Sequence, residues 1–395
     1  MTSQFILLKM LLILVRSCVG ANNIRPWWFL LRSESLARKA NVIRPYVRSS
    51  FMINTIRWLE IRMLVMMASL VMTSAFASVQ IQPPVQHLFD GHTHYVDFMQ
   101  QSDDIQHIVA EMKANHVDDM VIMGLPVQKK WSAIDTIEPL NPYDDNAKLY
   151  YYSATDEILA RAIESLPKRE QKKFHPFICG FNPTDKNAVA HIERMMAWHP
   201  HLWQGIGEIL TRHGQITDLT EGETATANHP ALSLVYDYAA QHHLPVLIHS
   251  DISPQNINKD SPFAQQPLYL SEIEFAVASH PTTIFIWAHA GLNSHLIPGN
   301  MVVLLDALLA KYHNLYIDLA DYPLSYMIKK GKVNADWLAL MEKYDDRFIF
   351  GTDMVKNFSD YAHILSLYQP LMHALSEKTA QKVFSDNMRN LLKFT

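Results

Sequence analysis

From residue 87 onward the chain alternates between two hydrophobic patterns. Short apolar runs stand at 87–94, 120–125, 174–182, 203–209, 245–251, 283–291, 315–321 and 347–354. They are rich in Val, Ile, Phe and Tyr, and several are apolar throughout, as strands covered on both faces are. Between them lie amphipathic stretches of helical period at 103–115, 156–166, 185–199, 230–243, 268–279, 301–312, 334–344 and 360–375, with a last one at 377–393. Asp or Ser tends to stand at their starts, where exposed N–H groups want an acceptor. Eight such repeats in about 300 residues predict a single-domain α/β fold, a (β/α)8 barrel. A doubly wound open sheet is the rival. It usually has fewer strands and a Gly-rich first turn, which is absent here. The spacing is widest between the second and third strands. The surplus is 126–153, which holds Trp131, Tyr143 and Tyr150–Tyr152.

The pattern is different before residue 78. Residues 63–77 form an uncharged apolar run, preceded by Arg57 and Arg62 and ending in Ala75-Phe76-Ala77. Basic flank, short apolar core and small-residue exit predict a signal peptide over 52–77, cleaved after Ala77. An uncleaved anchor and a buried helix are the alternatives, though fifteen helical residues rise only about 22 Å, short of the roughly 30 Å a span must cross. Residues 1–51 are Arg-rich, without helical period. Either the true start lies at Met52 or Met63 and they are a mis-assigned, unstructured extension, or they are an organellar transit segment. The folded part is then 78–395, exported to a periplasm or secreted, with no stable membrane insertion after cleavage.

Charge follows the same division. The net charge of −5 averages residues 1–62, at +8, and residues 63–395, at −13. All twenty histidines lie in the acidic part, and its only cysteine is Cys179; with Cys18 the chain has just two. That excludes a disulfide framework and a cysteine zinc site. An acidic domain also argues against a nucleic-acid partner. Nothing in the pattern decides whether the chain forms homo-oligomers.

In such a barrel the site forms at the C-terminal ends of the strands. Strand 1 ends Phe89-Asp90-Gly91-His92-Thr93-His94 and strand 4 ends Gly205-Ile206-Gly207-Glu208. Strand 5 ends His249-Ser250-Asp251, strand 6 Trp287-Ala288-His289-Ala290-Gly291 and strand 8 Phe350-Gly351-Thr352-Asp353. His92 and His94, two apart on a strand, point the same way as a chelating pair. Imidazole nitrogens suit zinc and similar divalent ions. His249 and His289 complete an open site or bind a second ion, and Glu208, between the two sets, can bridge two metals. Asp353 is a ligand, a base for a water at the metal, or both. Any one of these residues has an ordinary reading: a surface or core histidine, a Glu208 paired with Arg212, an Asp353 that caps a helix. Their joint placement at five strand ends favours a metal site. The doublets His199/His201 and His242/His243 fall at helix ends and read as solvent-facing.

These motifs together resemble the amidohydrolase superfamily, in particular its amidohydrolase-related (family 2) metal-dependent hydrolases. They are Asp-Gly-His-Thr-His at 90–94, the strand-5 His249, His289-Ala290-Gly291 and Gly351-Thr352-Asp353. The Ser385-Asp386-Asn387 before Leu391-Leu392 is similar to that branch's C-terminal helix. The resemblance covers about 87–392. It implies a distorted (β/α)8 TIM barrel holding one or two divalent metals, with His92, His94, His249 and His289 as ligands and Asp353 as ligand and proton acceptor. Many binuclear members carry a carboxylated lysine where this chain has Glu208. Glu208 therefore tilts the expectation toward two metals and hydrolysis. A TatD-type nuclease is disfavoured, since Glu208 leads into Ile209-Leu210-Thr211-Arg212 rather than Ile-Gly-Leu-Asp.

The expected function is metal-assisted hydrolysis of a C–N, C–O or P–O bond in a small molecule, with Zn2+ as the expected metal. A metal-dependent decarboxylase on the same scaffold is the first rival, and an exported, non-catalytic binding protein the second. Arg212, Asp251 and Asp321 lie near strand ends and are expected to touch substrate. Asp318 alternates with them along strand 7 and reads as structural. The segments 126–153 and 252–267 are the expected pocket walls, because loops set substrate choice.

Overall fold

The computed structural model describes residues 85–132, 134, 139, 141–144, 147–254, 258, 260–263, 266–293 and 301–393. The expected extension and signal peptide lie outside these residues. Among the described residues no helix is long and apolar enough to cross a membrane.

The eight expected strands all form. They are β1 (Leu88–Asp90), β2 (Val117–Met123), β3 (Phe174–Ile178), β4 (Gly205–Thr211), β5 (Val246–Ser250), β6 (Phe285–Trp287), β7 (Leu315–Asp318) and β8 (Phe348–Ile349). Each pairs in parallel with the next in sequence. The two ends of the sheet then meet. Gly91 N–H donates to Phe350 O at 2.9 Å, and beyond it Met354–Val355 pairs in parallel with Thr93–His94.

Alternation along the strands sends side chains to two different cores, as a period of two requires. Met120 and Ile122 join the large cluster between sheet and helices, with Ile206, Ile248, Trp287 and Ile317. Val121 and Met123 face the interior with Phe89, Phe177, Leu247, Ile286 and Ile349. β4 and β5 are buried along their whole length because both faces are covered.

The helices form close to where the period places them, and the departures have physical causes. The helix expected at 156–166 is Ala154–Glu164. Asp156 does not cap it; its buried carboxylate accepts the N–H groups of Cys179 and Gly180 and bonds His191. The run 283–291 leaves the sheet after Trp287 and becomes a 3-10 turn, Ala288–Gly291, with His289 and Ala290 both at φ 54°. His289 N–H bonds Asp318 Oδ2 instead of a neighbouring strand. The last helix is broken into Glu377–Gln381, a π turn at Lys382–Asp386, and Asn387–Leu392. There Val383 O takes the N–H of Phe350, and the Asn387 amide donates to Asp345 O and Phe348 O. The Ser-Asp-Asn motif thus ties the chain's end to β8.

His199 corrects the solvent-facing reading of the histidine doublets. It is 8% exposed and bonds Glu157 at 2.7 Å and Glu164 at 3.0 Å. His201, His242 and His243 are exposed as expected. Within 126–153 an antiparallel hairpin pairs Val127–Lys129 with Leu149–Tyr151, and it packs on Leu210 and Ile216.

Candidate metal centre

All six expected ligand residues meet at the C-terminal mouth of the strands. His92 Nε2 lies 3.3 Å from His94 Nε2, 3.5 Å from Asp353 Oδ1 and 3.8 Å from Glu208 Oε1. His94 Nε2 lies 3.4 Å from Asp353 Oδ1 and 3.5 Å from Glu208 Oε2. Glu208 Oε1 is also 3.5 Å from His289 Nε2 and 3.1 Å from His249 Nδ1. Ligand atoms about 2.1 Å from one tetrahedral ion stand about 3.4 Å apart, so this spacing suits a divalent cation. Two triads satisfy it without sharing a residue: His92, His94 and Asp353; Glu208, His249 and His289.

The far side of each ring explains the aim of the near side. His92 Nδ1 bonds Asp318 Oδ2 at 2.9 Å, His94 Nδ1 bonds Gly124 O at 3.0 Å, and His289 Nδ1 bonds Ala320 O at 2.8 Å. An imidazole whose Nδ1 donates to an outside acceptor has only Nε2 to offer a metal, and all three Nε2 atoms face the carboxylates. This donor set fits a metal ion. His249 is turned the other way: its Nε2 meets Asp251 Oδ1 at 3.0 Å and its Nδ1 faces Glu208.

Charge is concentrated here out of water. Burial pushes the Glu208 carboxyl up, but the facing imidazoles, His92 first, outweigh it and hold it well below the usual carboxylate range. Asp353 is likewise drawn down to about 2 by His92, His94 and His289 against the effect of burial. In return Asp353 and Glu208 outweigh the burial of His94 and pull it up to about 10, so with no ion bound its Nε2 also carries a proton, which a metal would displace. The two carboxylates therefore attract positive charge into the cluster. His92, His94, His249, His289 and Glu208 have side chains at most 3% exposed, whereas Asp353 keeps 20%. Asp353 is the member that opens toward solvent.

It opens into a cavity of about 520 Å3 whose upper walls include Phe98, Leu125, Tyr143, Ile216 and Tyr322. Lys356 stands at its rim, paired with Asp97 at 2.9 Å. Tyr143 comes from the 126–153 insertion, the segment expected to wall the pocket. Described residues of 252–267 line another, smaller cleft: Ser253 and Pro254, with Arg212, Asp251 and Tyr269.

The residues expected to touch substrate differ in how near they stand to the cluster: Asp251 touches it, and Arg212 is engaged elsewhere. Arg212 Nε and Nη2 donate to Glu272 at 3.0 and 2.7 Å, and its guanidinium lies 4.1 Å over Tyr269. It is not Glu208's partner. Asp251 is buried against His249. Asp321 is exposed, yet its carboxyl is pushed up to about 6, by burial first and then by the negative charge of nearby Asp353. Arg212, His289, Asp321 and Asp353 all have positive φ, at 44°, 54°, 55° and 53°. Such backbone is costly for side-chain-bearing residues and gathers at functional sites.

Beside the cluster stand Asp318, read from the sequence as structural, and His213, which the strand-end rule did not reach. Asp318 is the last residue of β7 and holds His92 from behind; the strand-end rule would have found it had its direction along the strand been known. His213 follows the positive-φ Arg212, stacks on His249 and lines the large cavity. No period signals a residue placed by such a turn.

No family model matches the chain, and no curated protein matches it. The chain is similar to several solved structures. One is 5-carboxyvanillate decarboxylase from Sphingomonas paucimobilis, at 14% identity over 79% of this chain and 100% of the other, TM-score 0.48. Another is a zinc-bound amidohydrolase from Burkholderia multivorans, at 11% identity over 78% and 99%, TM-score 0.46. A third is 4-oxalomesaconate hydratase from Rhodopseudomonas palustris, at 11% identity over 78% and 96%, TM-score 0.47.

Proposed function

We propose that this chain is a metal-dependent hydrolase of the amidohydrolase type, acting on a small molecule. The observation that carries the reading is the convergence of three Nε2 atoms, each aimed by an outside acceptor on Nδ1, on Glu208 and Asp353. His92, His94 and Asp353 would hold one ion, and His249, His289 and Glu208 a second, with Glu208 between them. Zinc is the metal we assign. A divalent ion there supplies Lewis acidity and lowers the pKa of a water toward about 7.

The chain's own groups do the rest. Asp353, the least buried carboxylate of the set, orients the attacking water, accepts its proton at Oδ1 or Oδ2 and passes it to the leaving group. Glu208, held by surrounding imidazoles, stays ionised and keeps the two halves of the cluster together. The cavity has the size of a small-molecule site, roughly 300–1,000 Å3. Its aromatic walls take an apolar body while the polar floor receives the scissile group. The acidity of the domain supports a partner other than nucleic acid, and the uncharged apolar run at 63–77 behind Arg57 and Arg62 supports export.

Metal analysis of purified protein, followed by chelation and add-back during a screen of esters, lactones, amides and phosphotriesters, tests this. Bound metal and a hydrolytic activity lost and restored with it are expected. Protein that retains no metal overturns the reading. One ion per chain with CO2 release from a carboxylate substrate would establish the decarboxylase instead, and ligand binding without turnover the binding protein.

A further inference from the structure

Strand β7 ends on a carboxylate that neither ligand triad needs. Asp318 is 1% exposed. Its Oδ2 lies 2.9 Å from His92 Nδ1 and accepts the backbone N–H of His289 at 3.2 Å; its Oδ1 accepts the backbone N–H of Ala320 at 3.1 Å. A buried carboxylate persists only when donors surround it. Two of these three donors belong to His92 and His289, from opposite triads.

By distance alone Asp318 could itself be a ligand, together with His92 and His289. Direction argues otherwise. Asp318 faces Nδ1 of His92, while the nitrogen that meets His94, Glu208 and Asp353 is Nε2. The two nitrogens leave the ring in different directions, so Asp318 lies behind the ring as viewed from the cluster.

We propose that Asp318 is a positioning residue for both halves of the centre. It holds His92 as the Nδ1–H tautomer, which leaves the Nε2 lone pair aimed inward. Through the same oxygen it fixes the backbone of His289, which leaves the sheet in a left-handed turn and so brings its own Nε2 to Glu208. A carboxylate behind an imidazole also makes that imidazole a stronger donor. This inference rests on the reading of the cluster as a metal centre.

The test uses the full chain stripped of metal. Zinc is titrated calorimetrically into the wild type, Asp318→Ala and Asp318→Asn, with thermal unfolding as the check on folding. Nitrogen NMR of histidine-labelled, metal-free protein reports the His92 tautomer, its signal identified by loss in His92→Gln. We expect Asp318→Ala to bind zinc roughly 10–100-fold more weakly and to lose the Nδ1–H tautomer. Asp318→Asn, whose amide oxygen still accepts from Nδ1–H, should keep the tautomer and recover part of the affinity. Wild-type affinity in either variant, or an unchanged tautomer in Asp318→Ala, overturns the positioning role alone. Failure of the wild type to bind zinc overturns the metal centre, and this inference with it. If Asp318→Ala does not fold, Asp318→Asn decides: affinity equal to wild type overturns the proposal, and weakened affinity with the tautomer kept supports it.

Discussion

The imidazole of His213 lies flat on that of His249, with ring centroids 3.8 Å apart and planes inclined by 24°. Burial, and then the neighbouring His249, push His213 down to about 3, so it stays neutral across the physiological range. It lines the cavity but belongs to neither ligand triad. His213→Ala should therefore leave the metal-to-protein ratio unchanged, while His249→Ala should lower it. Elemental analysis of the two variants, purified in parallel, checks this. Equal loss in both would make His213 a ligand.

Gly351 leaves no room for a side chain. A Cβ there would come within 2.7 Å of His92 Cβ and 2.9 Å of Asp318 Oδ1. Gly351→Ala should wedge the two apart and cost metal affinity about tenfold or more, although it alters no donor. Calorimetric zinc titration measures the change. Undiminished affinity would mean that the pair can shift without harm to the centre.

His199 gives stability a pH dependence away from the cluster. Burial opposes its charge, but hydrogen bonds to Glu157 and Glu164 outweigh that, so its pKa lies above the ordinary 6.5. A raised pKa adds stability that is complete below 6.5 and disappears as pH rises through the folded-state value. His199→Gln should accordingly be destabilised most at about pH 6, by about 2 kcal/mol, and least at about pH 9. Urea unfolding of both proteins at the two pH values shows whether the gap closes in that direction.

Lys129 is 1% exposed, and its Nζ donates to Pro142 O at 2.9 Å, one residue before Tyr143 of the cavity wall. Lys129→Met keeps the stem but removes the donor. Limited proteolysis should then cut within 126–153 faster than in the wild type, with the barrel left intact. Unaltered cleavage would show that the hairpin pairing alone holds the insertion.

The barrel and its mouth were largely legible along the chain, since both follow from local rules. Strands covered on two faces read as apolar runs, amphipathic helices repeat between them, and the mouth lies where the strands end. His92, His94, Glu208, His249, His289 and Asp353 could therefore be named together. Element ends were less legible where a long-range bond intervened. Asp156 left its helix start to serve Cys179 and Gly180, and His289 left its strand for Asp318.

The sequence by itself determined which residues stand at the strand ends, because side-chain alternation and helical period are properties of neighbouring positions. Only the tertiary structure decided which way they face and what they touch. Arg212 is committed to Glu272, sixty positions along the chain. Asp318 supports His92 from behind rather than bracing its own strand. His213 lies on His249 after a left-handed turn. Tyr143 reaches the mouth from an insertion held by a buried lysine. The bond between Asp318 and His92 depends on closing the sheet, which brings β7 and the end of β1 within reach; the others depend on neighbouring strands and on the insertion folding back on itself.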